Sequence, residues 1–508
     1  MQIEVIIEKK SHKLDAEEGK TILETLQEHG IHVLTAPCGG RGRCGKCTVE
    51  VEHMGEVLAC MTKVTDGMRI TIPEVQLRAQ KSKIAENGTV THYPADDGEG
   101  LDAACDIGTT TVVCHLIDGK TGEKLATVSE PSAQRSFGAD VLSRIQAAEA
   151  GKLEILKEQI IFQIAQMLRT LQKKTGRGEQ IQRLAVVGNT VMCHLFAGIS
   201  PVSIGVTPFM PQEFFGKEYT GEQLGLTDCR SVYIAPAVAG FVGGDITSDL
   251  LAVMQKNPKE KVLLLDIGTN GEMAVGNEEQ IYCCATAVGS AFEGAEMAMG
   301  MPAAVGAISH VWLDQRRIRV QVIGDEEACG ICGSGLIDAL AVILEMGLLD
   351  HTGLLKQKQS VSVAYRKYLG EYAGQPCVWL AHKVCVTQED IRGLQLAKAA
   401  FAAGMRILLQ DSHTPYEQLD HVVLAGGFGS YLKKESAAAI GLIPKELLPI
   451  TESVGNAAGE GAVSAAISQK AREQLSIIQK SMHYIELSTH PDFSQEYMNQ
   501  MDFDGSER

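Results

Sequence analysis

The sequence lacks the excess of basic residues that is typical of proteins that bind nucleic acid. Its 46 Lys and Arg residues are outnumbered by 63 Asp and Glu residues, which gives a formal net charge of −17 over 508 residues. An acidic surface repels phosphate backbones, and we therefore expect no nucleic-acid partner. With 45% hydrophobic and 21% charged residues the composition is globular. The length predicts about three folded units, at roughly 100–200 residues per domain.

Signals for export and for membrane insertion are also absent from the sequence. The first ten residues contain Glu4, Glu8, Lys9 and Lys10, which are incompatible with a secretory signal peptide. The longest uncharged run, residues 184–212, contains three prolines, three glycines and several polar side chains that lipid would leave without hydrogen-bond partners. We therefore expect a soluble, cytoplasmic protein without a membrane span.

The fourteen cysteines do not predict a disulfide framework, because the chain is large and shows no export signal. Ten of them are scattered, several in apolar runs where a small buried thiol is the usual explanation. Abundant free thiols favour a reducing, anaerobic cytoplasm. The remaining four, Cys38, Cys44, Cys47 and Cys60, crowd into one stretch of the sequence.

This cysteine-rich stretch predicts a [2Fe–2S] cluster. Residues 38–47 have the spacing C-x5-C-x2-C with four interleaved glycines, and Cys60 follows after twelve intervening residues. A cluster needs four converging thiolates, and glycine turns direct backbone N–H groups toward the sulfides. The first gap is one residue longer than in plant-type ferredoxins. A structural zinc site and four unrelated thiols are the alternatives, although zinc sites favour paired C-x2-C units and this stretch has one such pair.

Strand and helix patterns divide the chain into five parts. Residues 1–78 read as strands around a short amphipathic helix at 21–28, which predicts an α+β domain of the β-grasp type. After a polar, aperiodic stretch, apolar strands, glycine turns and helices alternate as in an α/β protein. Asp-Ile-Gly-Thr occurs at 106–109 and again at 266–269, so two similar lobes are expected. The predicted parts are the cluster domain at 1–78, a linker at 79–100, lobes at 101–258 and 259–470, and a tail at 471–508.

Three glycine turns suit a phosphate chain, which is bound by backbone N–H groups, small hydroxyl side chains and an acid for Mg²⁺ or its waters. Two are the Asp-Ile-Gly-Thr copies, and the third, at 426–430, follows a buried strand and would lie against a base and ribose. A glycine-rich helix start at 330–335 would also receive phosphate oxygens. Each motif alone is typical of an ordinary turn. The predicted nucleotide-binding residues are Gly108, Thr109, Thr110, Gly268, Thr269, Asn270, Gly271, Glu272, Gly333, Ser334, Gly426, Gly427, Gly429 and Ser430.

The order of these motifs over two lobes resembles the superfamily of acetate and sugar kinases, heat-shock chaperones and actin, abbreviated ASKHA. Neither a Walker A P-loop nor a G-x-G-x-x-G fingerprint is present. The resemblance implies that ATP and Mg²⁺ lie between the lobes, with Asp106 and Asp266 as the acids of the two hairpins. Small residues at 235–245 and 454–462 would let two helices cross closely at a hinge. Asp245 would orient the attacking water, and a buried helix cap is the alternative.

A few side chains near these motifs have two interpretations. Thr387, with Asp390 three residues later, predicts the capped start of a long helix. On that helix Gln395 and Lys398 would flank the adenosine, whereas solvated surface is the ordinary place for Lys398. Cys329 and Cys332 form a C-x2-C pair for which packing is favoured over redox chemistry, and GNTVM at 188–192 is explained as a helix cap.

An iron–sulfur β-grasp domain ahead of an ASKHA fold resembles the reductive activators of corrinoid proteins, which accompany corrinoid-dependent methyltransferases and O-demethylases. The resemblance covers nearly the whole chain. Its motifs are CGGRGRCGKC at 38–47, DIGTTT at 106–111, GNTVM at 188–192, PAVAGFVGGD at 236–245, DIGTNGE at 266–272, GICGSG at 330–335, DIRGLQLAKA at 390–399 and LAGGFGS at 424–430.

The resemblance implies that the protein passes one electron to a corrinoid protein and returns inactive Co(II) to Co(I) with the help of ATP. It further implies reduced ferredoxin or flavodoxin as the electron donor, and a homodimer. Two departures stand out: the chain lacks the extra domain that longer members carry before the first hairpin, and its loop from Cys47 to Cys60 is short. Missing docking or dimer contacts would follow from the first departure.

Three other functions stay open at this point. One is a small-molecule kinase of the same fold with the cluster as a sensor, although no sugar-binding segment is evident. Another is an ATPase scaffold, against which the cluster argues. The last is an activator of a different low-potential enzyme, such as a radical dehydratase, but those activators usually hold one cluster between subunits with fewer cysteines each. Function resides in sites and is not decided by the fold.

Overall fold

The computed structural model describes residues 1–73, 76, 87–90, 92–292, 294, 297–429 and 431–503. Ser430, which was predicted to contact nucleotide, lies outside the described residues, as does the linker at 79–86 and 91. None of the helices in the described part of the chain is long and apolar enough to cross a membrane.

A mixed sheet with one helix forms the N-terminal part of the chain. Its elements are β1 (Gln2–Ile7), β2 (Lys10–Asp15), α1 (Ile22–Glu28), β3 (Thr48–Val51), β4 (Gly55–Leu58) and β5 (Arg69–Thr71). The strand order is β2-β1-β5-β3-β4, with β1 and β5 parallel. α1 begins with a capping box, because the Thr21 hydroxyl accepts from the Glu24 N–H while the Glu24 carboxylate accepts from the Thr21 N–H. The fold is the predicted β-grasp.

The first lobe is a six-stranded sheet covered by helices. Its elements are β6 (Leu101–Ile107), β7 (Thr111–Asp118), β8 (Lys124–Pro131), α2 (Val141–Ala147), α3 (Leu153–Thr175), β9 (Ile181–Val187), α4 (Thr190–Ala197), β10 (Lys217–Thr220), α5 (Gly221–Leu224), β11 (Cys229–Ile234) and α6 (Gly244–Met254). β6, β7 and β8 form an antiparallel meander, and β9 and β11 extend the sheet parallel to β6. The central strands are buried on both faces, which explains their continuous apolar runs.

The second lobe contains a sheet of the same kind and two small additional sheets. Its elements are β12 (Val262–Ile267), β13 (Gly271–Gly276), β14 (Ile281–Thr286), β15 (Ala307–Asp314), β16 (Arg317–Val322), β17 (Gly330–Ile331), α7 (Gly333–Glu345), β18 (Leu369–Tyr372), β19 (Gln375–Ala381), β20 (Val384–Thr387), α8 (Gln388–Asp411), β21 (His421–Ala425), α9 (Gly426–Gly429), α10 (Lys434–Ala439), β22 (Thr451–Gly455), α11 (Ala457–Ile467), α12 (Gln469–Ser481), β23 (Met482–Tyr484) and α13 (Phe493–Asn499). The predicted cap of α8 is present, since Thr387 and Asp390 form a capping box.

The two large sheets share one topology, as the repeated motif predicts. In the first lobe five strands run in the order β11-β9-β6-β7-β8, and in the second lobe the order is β22-β21-β12-β13-β14. Each begins with a three-stranded antiparallel meander and continues with two parallel strands. The two Asp-Ile-Gly-Thr copies therefore occupy equivalent turns, after β6 and after β12. This duplication confirms the predicted two-lobed ASKHA fold.

Two helices rich in small residues cross closely where the lobes meet. α6 packs against α11, and α11 also packs against β6 and β9 of the first lobe. A Cβ atom added to Gly461 would lie 2.3 Å from the main-chain oxygen of Ser248. Only glycine allows this approach, because real side-chain contacts do not come so close. The close crossing expected at the hinge is therefore present.

The C-terminal segment corrects the predictions for Gln395 and Lys398. Lys398 is 1% exposed, and its Nζ donates to the main-chain oxygens of Gln500 at 2.5 Å and Asp502 at 2.8 Å. Gln395 donates to Met501 O at 2.6 Å. Neither side chain flanks the cleft between the lobes, and Lys398 is not on a solvated surface. Both hold the tail against α8, a contact that local sequence patterns cannot reveal.

A substitution at the crossing of α6 and α11 tests how closely these two helices pack at the hinge. We expect Gly461→Ala to lower the thermal midpoint by several degrees, because overpacking at a contact with main-chain atoms costs about 1–3 kcal/mol. The matched control is Gly178→Ala, because a Cβ at Gly178 meets nothing within 4 Å. Differential scanning calorimetry of both variants decides the matter. An unchanged midpoint for Gly461→Ala would contradict the close crossing.

Candidate functional site

A cleft between the lobes encloses a cavity of about 300 Å³. The turns after β6, β12 and β21 and the start of α7 surround it, so the sheet ends of both lobes face one space. The predicted residues that line the cavity are Asp106, Gly108, Thr109, Thr110, Asp245, Asp266, Gly268, Thr269, Asn270, Glu272, Gly333, Ser334, Gly426 and Gly427.

Two predicted nucleotide-binding residues are not on the described cavity wall. Gly271 faces the second lobe's core, where an added Cβ would lie 2.6 Å from a ring carbon of Phe401. Gly429 ends α9, and its main-chain oxygen accepts from the Ser453 hydroxyl at 3.1 Å. Both glycines belong to the turns but do not line the cavity. We therefore expect them to act on nucleotide binding through the path of the backbone.

Five carboxyl groups meet at the bottom of the cleft: Asp106, Asp245, Asp249, Asp266 and Glu272. Burial raises the pKa of Asp106 to about 7, opposed by the Asn456 amide and reinforced by the charge of Asp245. Burial raises the pKa of Asp266 to about 8, with the charges of Asp245 and Asp106 adding to it.

The other three carboxyl groups are shifted in the same direction. Burial raises the pKa of Asp245 to about 6, against hydrogen bonds from backbone N–H groups at the start of α6. Burial and then the neighbouring carboxylates raise the pKa values of Asp249 and Glu272. Such a group of acids cannot ionise together in a low-dielectric cleft unless a cation joins it.

The arrangement fits a hydrated Mg²⁺ that arrives with a phosphate chain. Among the described residues, no three His, Cys, Asp or Glu side chains are placed to hold one ion directly. Mg²⁺ usually keeps several waters and binds one or two carboxylates together with substrate phosphates. Glu272 lines the cavity, and one of its carboxylate oxygens is buried without a hydrogen-bond partner among the described residues. This oxygen would accept a hydrogen bond from a water of the ion.

Polar side chains from distant parts of the chain hold the first hairpin in place. Asn456 Nδ2 donates to Asp106 Oδ2 at 2.9 Å, which ties β22 of the second lobe to the first lobe. Asn189 Nδ2 donates to Thr109 Oγ1 at 3.0 Å, and its Oδ1 accepts from the Met192 N–H to cap α4. Arg144 donates to the Thr109 main-chain oxygen. The cap at Asn189 was foreseen, whereas its contact with the hairpin was not.

Gly426 shows why the third turn requires glycine. Its φ angle is +85°, and an added Cβ would lie 2.1 Å from Asp266 Oδ1. The turn after β21 thus passes directly beside a cleft carboxylate, at a distance that leaves no room for a side chain. Any larger residue would displace Asp266 from the cleft.

The cysteine loop, residues 38–47, and the nearby Cys60 bring four sulfur atoms together as two pairs. Cys44 Sγ lies 3.4 Å from Cys38 Sγ, and the Cys47 and Cys60 thiols contact each other. A [2Fe–2S] cluster takes two thiolates on each iron, whereas a zinc ion takes four ligands around one point. No such four-ligand centre is found among the described residues. The paired arrangement fits a [2Fe–2S] cluster.

Backbone N–H groups in this loop favour thiolate at Cys38. Burial acts to raise its pKa, but the N–H groups of Cys44, Arg43 and Arg41 and the Cys44 thiol outweigh burial and lower the pKa to about 7. Burial raises the pKa of Cys47 to about 12 in the absence of bound iron. The glycine turns therefore direct N–H groups to the sulfur atoms as the sequence predicts, and this lowers the cost of a buried negative centre.

The cysteine loop lies against both lobes beside the cleft. Lys46 Nζ donates to the main-chain oxygens of Met297 at 2.9 Å and Gly300 at 3.1 Å in the second lobe. On the other side, Gln27 Nε2 donates to Ser136 O at 2.6 Å in the first lobe. Pro37, Thr35 and Lys46 line the same cavity as the carboxyl groups. Sequence reasoning missed this contact, together with Arg135 on the cavity wall and the buried Asp249 beside Asp266.

The second C-x2-C pair does not form a bridge. Cys329 is exposed and Cys332 is buried at the start of α7, and both are free thiols. Cys329 Sγ lies 3.6 Å from the main-chain oxygen of Gly306. Packing was favoured for these cysteines, and the structure agrees with packing for Cys332.

Three regions of the chain match known protein families. Residues 4–74 match the 2Fe-2S iron-sulfur cluster binding domain, residues 101–257 match the RACo middle region, and residues 260–508 match the C-terminal domain of RACo, the ASKHA domain. The first match supports the cluster, and the third supports ATP as cofactor. The expected absence of a middle domain is wrong in one respect, because the first lobe itself corresponds to the family's middle region.

Relatives of known name cover most of the chain. It is 30% identical to the corrinoid activation enzyme RamQ of Eubacterium limosum, over 92% of this chain and 93% of that protein. It is 26% identical to the Co(II) methylated amine-specific corrinoid protein reductase of Methanosarcina barkeri, over 67% of this chain and 65% of that protein. A solved structure described as a reductive activator for a corrinoid, iron-sulfur protein matches with a TM-score of 0.72 at 28% identity, and 99% of each chain is covered.

The paired thiols give a test of the cluster ligands. We expect Cys44→Ser to lose the visible absorption of the cluster while nucleotide binding is retained, because Cys38 and Cys44 are predicted to hold one of the two irons. The control is Cys329→Ser, which changes an exposed thiol outside the loop. Iron and sulfide analysis and the absorption spectrum are measured for both. Full iron content in Cys44→Ser would contradict the ligand assignment.

The cleft carboxyl groups predict a stability that falls with rising pH. The pKa values of Asp106 and Asp266 are about 7 and about 8 in the folded chain, against an unfolded value near 3.8. The folded chain therefore keeps protons that the unfolded chain has released, and this stabilisation is lost as the pH rises through the folded values. In cluster-loaded protein, where iron would hold the Cys38 thiolate so that its lowered pKa does not oppose this slope, we expect the thermal midpoint without Mg²⁺ to fall between about pH 7 and about pH 8.5.

Two variants and the addition of Mg²⁺ make this pH test specific to the cleft carboxyl groups. Asp245→Asn removes a charge that raises both other pKa values, so the slope with pH is expected to decrease, whereas the exposed Asp314→Asn leaves it unchanged. Added Mg²⁺ is expected to raise the midpoint more at the upper pH limit. Burial lowers the pKa values of His32, His92, His115 and His194, and these neutral rings oppose this slope mainly below about pH 7, where the histidines of the unfolded chain bind protons. A midpoint that is level or rises across the window would be the contrary result.

Proposed function

Because the chain belongs to the RACo family, we propose that it is a reductive activator that uses ATP to drive a one-electron reduction of a corrinoid protein from Co(II) to Co(I). Support comes from the family matches over all three regions and from relatives named for corrinoid activation and Co(II) corrinoid reduction. The two lobes bind and hydrolyse ATP, and the cysteine loop holds the redox centre.

One observation carries the proposal: the cysteine loop and the phosphate-binding turns face each other across one cleft. Lys46 lies between Cys44 and Cys47 in sequence, and its side chain reaches the second lobe and lines the cavity. Electron transfer and nucleotide hydrolysis are therefore neighbours in the structure. A change of lobe geometry at the cleft would alter the position of the loop.

The electron transfer from the cluster to Co(II) must be coupled to ATP because it is energetically unfavourable on its own. A bound [2Fe–2S] cluster supplies the electron at about −400 mV if it resembles plant-type centres, and the Co(II)/Co(I) couple lies lower still. The transfer is uphill unless another reaction drives it. Hydrolysis in the cleft would favour lobe positions in which the corrinoid protein is held against the cysteine loop.

The roles of individual residues are part of the proposal. Cys38, Cys44, Cys47 and Cys60 hold the cluster in two pairs. Asp106 and Asp266, at equivalent turns of the two lobes, orient the waters of Mg²⁺ against the phosphates. Asp245 lies at the start of α6 beside both and, in its ionised form, orients the attacking water. The predicted turn residues hold the nucleotide through their backbone N–H groups and hydroxyls.

The partners beyond the corrinoid protein are proposed on chemical grounds. A low-potential one-electron donor is needed to refill the cluster, and reduced ferredoxin or flavodoxin has that chemistry. A homodimer is also proposed, from the family resemblance. The parts 1–78, 79–100, 101–258, 259–470 and 471–508 remain our proposed division of the chain. In this division, the stretch at 79–100 links the cluster domain to the first lobe.

The deciding experiment measures Co(I) directly. Anoxic, reduced protein is mixed with a Co(II) corrinoid protein with and without MgATP, and the visible spectrum is followed for Co(I). We expect Co(I) to form with MgATP and to be at least a hundredfold slower without it or with Asp266→Asn, because loss of a group that stabilises the transition state costs about that much.

Controls separate the two halves of the activity. Asp266→Asn should keep its iron content, and Cys44→Ser should keep nucleotide binding while it forms no Co(I). A phosphorylated small molecule among the products would instead favour the kinase interpretation. No Co(I) across a panel of corrinoid proteins, with cluster and ATPase intact, would refute the proposed acceptor.

A further inference from the structure

The cleft wall contains few positive charges for a ligand that carries several negative ones. The only Lys or Arg side chains among the described residues that line it are Lys46, from the cluster domain, and Arg135, from the first lobe. Four of the five carboxyl groups line the same cavity, namely those of Asp106, Asp245, Asp266 and Glu272. A triphosphate in this cleft therefore needs both Mg²⁺ and these two cations to offset its charge.

Lys46 reaches the cleft in a defined orientation. Its ammonium carries three N–H donors, and two of them are taken by the main-chain oxygens of Met297 and Gly300, at 2.9 and 3.1 Å. These acceptors are neutral. Burial lowers the pKa of Lys46, while the charges of Cys44 and Asp390 act to raise it. Gly300 and its neighbours up to Ala303 line the cavity themselves. Among the described residues no third acceptor bonds to the ammonium, so the third donor can serve a ligand in the cleft.

The rest of the cluster domain holds this lysine in place. The main-chain oxygen of Pro37 accepts from the Ala139 N–H at 3.2 Å, and Gln27 bonds to Ser136 in the same segment of the first lobe. Gln76 Nε2 donates to the main-chain oxygen of Lys46 at 2.5 Å. The cluster domain is thus anchored to the first lobe through Pro37 and Gln27, and the ammonium of Lys46 is itself its contact with the second lobe.

From this geometry we infer that Lys46 is a nucleotide ligand supplied by the cluster domain, which binds a phosphate oxygen of ATP through its third N–H. The inference rests on the proposed function and deepens it. Nucleotide binding and docking of the cluster domain then favour each other, since each provides a partner for the same ammonium. If nucleotide binds more tightly when the cluster domain is docked on the lobes, bound nucleotide raises the docking equilibrium constant of that domain by the same factor.

The test uses the full-length, cluster-loaded protein and the magnesium complex of the non-hydrolysable analogue AMP-PNP. We expect Lys46→Met to weaken its affinity about tenfold or more, as for the loss of a charged hydrogen bond. Lys46→Arg keeps the charge and should recover most of the affinity. The control is Lys13→Met, an exposed lysine on β2 far from the cleft wall. Affinity equal to wild type in Lys46→Met, with the cluster spectrum intact, would overturn the inference.

A second measurement needs no substitution and covers the case in which Lys46→Met fails to hold its cluster. Lysine acylation of the wild-type protein, analysed by mass spectrometry, is compared with and without Mg-AMP-PNP. We expect the nucleotide to protect Lys46 severalfold and to leave Lys13 unchanged, and equal labelling of Lys46 in both states would overturn the inference. A wild-type protein that binds no nucleotide at all would instead refute the proposed function.

Discussion

Five buried carboxyl groups at the junction of the lobes set the conditions for the rest of this structure. They repel one another in a low-dielectric cleft, and burial raises the pKa of Asp106 and Asp266 into the neutral range. A cation with a phosphate chain relieves the repulsion, so the cleft is most stable when its ligand is bound. Main-chain atoms pack closely around these acids. Gly426 lies directly beside the Asp266 carboxylate, and α6 and α11 cross at Gly461.

The cluster domain is connected to this electrostatic centre through hydrogen bonds to both lobes. Lys46 bonds to the second lobe and Gln27 to the first, so the cysteine loop spans the mouth of the cleft. A relative movement of the lobes would strain these bonds or require the cluster domain to move with one lobe. The placement of the redox loop is in this way a function of lobe separation, which is the variable that nucleotides control in a hinged ATPase.

Local patterns were sufficient for the cysteine loop and for the hairpins, because both depend on short spacings and on turns that only glycine permits. The duplication was visible because both copies keep the same four residues at 106–109 and 266–269. The contacts that complete the site are different in kind. Asn456 reaches Asp106 across 350 residues, and Lys46 reaches Met297 across 251. No periodicity in a single sequence encodes such pairings, and Lys398 was misplaced for the same reason.

The clamp formed by Lys398 has a consequence for how the tail can vary. Its Nζ binds main-chain oxygens at residues 500 and 502, and Gln395 binds another at 501. Carbonyl acceptors are present whatever side chains the tail carries. Homologous chains are therefore free to diverge in sequence at these three positions, provided that the lysine, the glutamine and the path of the backbone are retained. We therefore expect the side chains at residues 500–502 to vary among homologues while Gln395 and Lys398 on α8 are retained.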